Sequence, residues 1–114
     1  MAYTISPLHE VKDRDLLAEL VGSMRAHGWR GRPIIVYKDD EHHYQALTGS
    51  HRLVAAAMTG VKVPTRVLTK RELAVLVESP WWNRYGTINA LDAVVALREA
   101  GMHRLAKLWS YDDQ

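Results

Sequence analysis

The chain has no cysteine and no phenylalanine among its 114 residues. Without thiols, a disulfide scaffold, thiolate zinc sites and every cysteine-based catalytic scheme are excluded. Four Trp and five Tyr stand in for Phe as the bulky aromatics. No apolar run approaches the roughly 20 residues of a membrane span. The opening MAYTISPLHEV lacks a basic region followed by an apolar stretch, so no secretory signal is read there. The expectation is a soluble, cytoplasmic chain with no membrane partner. Strong charge of one sign is also missing. A formal net charge of +2 permits anionic partners without demanding nucleic acid. Internal repeats and low-complexity segments are absent. What is present is ordinary globular material, 47% hydrophobic and 25% charged, which excludes a disordered tail. A mass of 13.0 kDa corresponds to one domain.

Periodicity supplies the elements. Tyr3-Thr4-Ile5 reads as a short strand ended by Ser6-Pro7. Leu16, Leu17, Leu20, Val21 and Met24 fall on one helical face, with Asp13 or Asp15 as cap and Gly28 at the close. Gly28-Trp29-Arg30-Gly31-Arg32 is a tight basic loop. Pro33 then leads into Ile34-Ile35-Val36-Tyr37, a buried strand by composition. Lys38 to His42 is a polar turn, and His43 to Leu47 a return strand. A helix follows from His51 to Met58, closed by Gly60, and Val61 to Leu68 is a strand with Pro64 favouring an edge. Thr69 and Glu72 have capping-box spacing ahead of a helix with Leu73, Leu76 and Val77. After the aromatic loop Ser79 to Gly86, Thr87 or Asn89 caps a helix ending at Gly101, and a short helix carries Leu105, Leu108 and Trp109. The fold class is α+β: a small mixed β-sheet with covering helices.

Chemistry concentrates where a strand gives way to a helix, at Thr48-Gly49-Ser50-His51-Arg52. A glycine there lets the backbone approach a ligand, and the free amides of Ser50, His51 and Arg52 point out of the helix start. The helix dipole adds about 0.3–1 kcal/mol for an anion. Arg52 can grip a phosphate with two parallel hydrogen bonds, His51 adds a donor and Ser50 a hydroxyl. By chemistry this is an anion-binding helix start, most simply for phosphate. The bland alternative is a well-capped helix with surface polar residues. Neither a Walker P-loop nor a Gly-x-Gly-x-x-Gly fingerprint is present.

The run Gly31-Arg32-Pro33-Ile34-Ile35-Val36-Tyr37, then Tyr44-Gln45-Ala46-Leu47-Thr48-Gly49-Ser50-His51-Arg52, then Gly60 to Val67, resembles the ParB/sulfiredoxin superfamily. The preceding helix Leu16 to Met24 with Gly28 matches as well, so the resemblance covers roughly residues 3–77. It implies a ParB/sulfiredoxin-like core over residues 1–78, with 79–114 as a helical C-terminal extension packed on the same domain. It further implies nucleoside phosphate binding at the helix start. Partition proteins bind CTP there with Gly-Glu-Arg-Arg, sulfiredoxins bind ATP with Gly-Cys-His-Arg, and related serine kinases carry Asp-Gly-His-His-Arg. Gly49, His51 and Arg52 match the core of the latter two. Ser50 replaces the sulfiredoxin cysteine, which excludes that reaction. Thr48 stands where the kinases have an aspartate, and the second phosphate motif of partition proteins is missing.

The resemblance therefore implies a nucleotide-binding chain, for ATP or CTP with Mg2+, open to phosphotransfer or NTP hydrolysis. The phosphate contacts are Thr48, Gly49, Ser50, His51 and Arg52, with Arg30 and Arg32 from the basic loop. Glu10 is the candidate general base or magnesium contact, and Ser50 a candidate acceptor or metal-water contact; a solvated surface carboxylate is the plain reading of Glu10. No protein metal site is expected. His42-His43 beside Asp39-Asp40-Glu41 lacks ligand spacing. Trp81-Trp82-Asn83-Arg84-Tyr85 reads either as a base-stacking platform or as aromatics packed into a small core, and packing is the favoured reading. Leu91 to Trp109 reads as a helical cap rather than a DNA-binding helix-turn-helix. Two other functions remain beside nucleotide binding: a DNA-binding or DNA-processing accessory protein, and a non-catalytic partner-binding module. The oligomeric state is not legible.

Overall fold

Strand β2 (Ile34–Asp40) is the hub of the molecule. The computed structural model describes residues 4–109. In the sheet order β1-β3-β2-β4, β2 pairs antiparallel with β3 (His43–Ala46) and parallel with β4 (Thr65–Val67). Strand β1 (Thr4–Ser6) pairs parallel with β3. The mixed sheet is therefore as expected. Strand β4, preceded by Pro64, lies at an edge.

The unbroken apolar run of β2 reflects burial on both faces, which removes the alternation of a half-exposed strand. Ile34 and Val36 pack with Ala46 and Leu53 on one side. Ile35 enters a separate cluster with Leu47, Leu68, Leu76, Ile88, Leu97, Leu105 and Trp109 on the other. Helices α1 (Arg14–His27) and α2 (Ser50–Thr59) pack together through Val21, Met24, Ala55 and Ala56. Helices α3 (Lys70–Val77), α4 (Ala90–Glu99) and α5 (His103–Leu108) supply the rest of the Ile35 cluster. The largest core thus joins the sheet to residues beyond 78.

Helix ends follow local chemistry. The Asp13 carboxylate accepts from the Leu16 amide at 2.9 Å, so Asp13 and not Asp15 is the α1 cap. Thr69 and Glu72 form the reciprocal capping box at α3. Asn89, not Thr87, caps α4. The predicted strand Val61 to Leu68 shrinks to Thr65–Val67 because only those residues find a ladder partner on β2.

The aromatic loop divides its tryptophans. Trp82 packs on the Ile35 cluster, with its ring 5.9 Å from that of Tyr37. The Tyr37 hydroxyl donates to the Gly86 carbonyl at 2.8 Å, and burial first, then the Asp39 charge, raises its pKa. Trp81 departs from the favoured packing reading and stays 41% exposed. Among the described residues, no helix is long and apolar enough to cross a membrane.

Candidate phosphate-binding site at the start of α2

The α2 helix begins with a backbone reversal that only glycine adopts easily. Gly49 lies at φ 67°, ψ 39°, in the left-handed region, and no side chain caps the helix. A Cβ at this position would overlap Ile34 Cδ1 and stand 3.3 Å from an Arg52 terminal nitrogen. Both the dihedral and the space require glycine. Immediately before it, the Thr48 hydroxyl accepts from the Ile35 amide at 3.0 Å, replacing a strand carbonyl where β3 has ended.

Two segments close over this first turn. On one side, the Leu8 and His9 amides donate to Ser50 Oγ at 3.1 and 3.3 Å. The Asp13 amide donates to His51 Nε2 at 3.3 Å. The His9 and His51 rings meet edge to face, 6.0 Å apart. Asp13 also caps α1, so the N-termini of the two helices converge. On the other side, Arg52 donates to the Arg32 carbonyl at 2.6 Å, with its guanidinium 4.8 Å from the centre of the Trp29 ring. Trp29 Nε1 donates to the same carbonyl at 3.2 Å.

Thr48, Gly49, Ser50, His51 and Arg52 are therefore contiguous and buried. Ser50 is 1% exposed and Arg52 8%, more enclosed than an open anion site would make them. Glu10 lies exposed in the segment pinned to α2 at His9 and Asp13. Arg30 and Arg32 project from the loop that Arg52 anchors, and both are exposed. The arrangement flanks an enclosed helix start with two exposed arginines on one side and the segment carrying the exposed Glu10 on the other. Trp29, Leu8 and His9 as walls of the site went unread in the sequence. The Leu8 and His9 bonds to Ser50 span 42 and 41 positions, the Trp29 ring meets Arg52 from well outside its own turn, and no local periodicity signals such pairings.

The family model of the ParB N-terminal domain matches residues 3–78, two-thirds of the sequence. The chain belongs to the ParB N-terminal domain family. That span runs from β1 through α3 and contains the whole α2 start. Among solved structures, this ParB-family chain is similar to the C-terminally truncated chromosome-partitioning protein ParB from Caulobacter crescentus, complexed with CTP-gamma-S. The two share 22% identity with a TM-score of 0.47, over 95% of this chain and 67% of that one. None of the curated proteins matches.

Proposed function

We propose that the chain binds a nucleoside triphosphate, ATP or CTP with Mg2+, with its phosphates at the first turn of α2. The observation that carries this reading is the Gly49 reversal, which opens an α-helix with no side-chain cap beside the Arg30–Arg32 loop that Arg52 holds. Uncapped amides at a positive helix end are anion receptors, and membership of the ParB N-terminal domain family favours a nucleotide as the anion. Arg30 and Arg32 are the proposed exposed phosphate contacts. Arg52 is proposed to act mainly by holding their loop, and His51 by tying the start of α1 to the site.

Phosphotransfer or NTP hydrolysis is the finer proposal. Glu10 is its base or magnesium-water contact. Ser50 Oγ, already bound by two amides, serves it by positioning the segment that carries Glu10.

The test is a titration of the full chain with ATP, CTP and GTP, each with and without Mg2+, read by calorimetry and thermal shift. At one hundred times Kd, a ligand should add about 2.7 kcal/mol of apparent stability. The Arg30→Ala/Arg32→Ala double variant should weaken binding at least tenfold without lowering Tm, because both side chains are exposed. Absence of any triphosphate-dependent shift in the folded wild type overturns the reading.

A further inference from the structure

A second cleft, of about 320 Å3, lies on the opposite side of the sheet, between the end of α3 and the end of α4. Val75, Pro80, Trp81 and Ala96 line it together with Glu78 and Glu99. A Trp and two Glu residues lining one cleft select for positive charge. The ring's negative π-face attracts a cation and the acids add Coulomb attraction. Among the described residues, neither Glu78 nor Glu99 is ion-paired. The loop's own cation is directed elsewhere: Arg84 lies 5.0 Å from the centre of the Tyr85 ring and donates to its hydroxyl at 2.8 Å. Arg71 starts the α3 face that ends at Glu78, and Arg98 precedes Glu99. Neither lines the cleft.

The exposed surface of α4 before Glu99 states what carries the cation. Leu91 and Val95 precede Glu99 at four-residue spacing along α4 and remain 61% and 37% exposed. They form an apolar strip leading to the acidic end, where a flexible segment can lay hydrophobic side chains. We infer that the Trp81–Glu78–Glu99 cleft with its Leu91–Val95 strip docks a protein segment that carries one Arg or Lys side chain flanked by apolar residues. The inference is independent of the α2 site. It also disfavours base stacking on Trp81, because two glutamates lining the same cleft repel nucleic-acid phosphates.

The experiment follows the indole signals of the full-length, 15N-tryptophan-labelled chain, with Trp81 assigned by Trp81→Phe. The probes are acetyl-Leu-Arg-Leu-amide, the same peptide with citrulline for arginine, and an oligothymidylate. The arginine peptide is expected to shift the Trp81 indole with an affinity on the order of millimolar. Glu78→Gln, Glu99→Gln and Trp81→Leu should each weaken it roughly two- to tenfold, and the citrulline peptide should bind correspondingly less well. Both glutamates are exposed, so their variants remain folded. Equal binding of the citrulline peptide, no shift with either peptide, or a Trp81 shift with the oligothymidylate would each overturn the proposal.

Discussion

Arg52 donates a 2.6 Å hydrogen bond to the backbone carbonyl of Arg32, beneath the ring of Trp29. A side chain that sequence chemistry assigns to a ligand thereby also holds the protein's own loop. Arg52→Ala leaves a cavity against Trp29 and takes the charge-assisted donor from the Arg32 carbonyl, which keeps the Trp29 indole N–H. It should cost about 2–3 kcal/mol of stability, measured by urea unfolding. Arg52→Lys should recover little of this, because an ammonium cannot stack on Trp29 while donating in the plane of the guanidinium. A folded Arg52→Ala variant with wild-type stability and lost nucleotide binding would make Arg52 a ligand contact instead.

Gly49→Ala meets two obstacles at one position. Its φ of 67° is unfavourable for alanine, and the new methyl overlaps Ile34 Cδ1. Together these should cost about 2–4 kcal/mol. Combining it with Ile34→Val removes the overlapping atom, so the double variant should be more stable than the two single effects added. Simple additivity in that cycle would show that the backbone alone matters.

The Arg66–Glu72 pair gives a pH-dependent handle. Arg66 donates to both Glu72 oxygens at 2.9 and 2.6 Å, and the Thr69 amide donates to Oε1 at 2.8 Å. The Arg66 hydrogen bonds first of all hold the Glu72 pKa below its ordinary value of 4.5. A carboxyl depressed in the folded state adds stability above its unfolded pKa and loses it as pH falls through the folded one. Glu72→Gln should therefore cost about 1 kcal/mol at neutral pH, a modest figure because Arg66 is 35% exposed. The gap between wild type and variant should close below the carboxylate range. A gap that widens with acid would contradict the assignment.

Residues 1–78 nearly coincide with the family match, yet we expect them not to fold alone. Truncation there uncovers Ile35, Leu47, Leu68 and Leu76 and deletes Ile88, Leu97, Leu105 and Trp109 from their common core. Burial of each such large side chain contributes about 1.5–3 kcal/mol. Four of them rival the roughly 5–15 kcal/mol of a whole domain. Circular dichroism and amide dispersion of the truncated chain decide the matter: a cooperative thermal transition would show the expectation wrong.

Local physical chemistry settled what neighbouring residues settle among themselves. The Ile34-Ile35-Val36 run read as a buried strand, Thr69 and Glu72 read as a capping box, and Gly49 and Gly60 read as helix boundaries. Each depends on dihedral preference or on hydrogen bonds within about one helical turn. The Thr48 to Arg52 cluster was legible for the same reason, since five consecutive residues share one strand-to-helix junction. Only the tertiary structure decided what those residues face. Ser50 bonds to amides 41 and 42 positions away, Arg52 to a carbonyl 20 positions away, and Trp82 rather than Trp81 enters the core beside Tyr37. Two adjacent tryptophans have the same propensities and the same hydrophobicity. Which one packs inward depends on the position of the loop over the Ile35 cluster, to which β2, α3 and α4 all contribute.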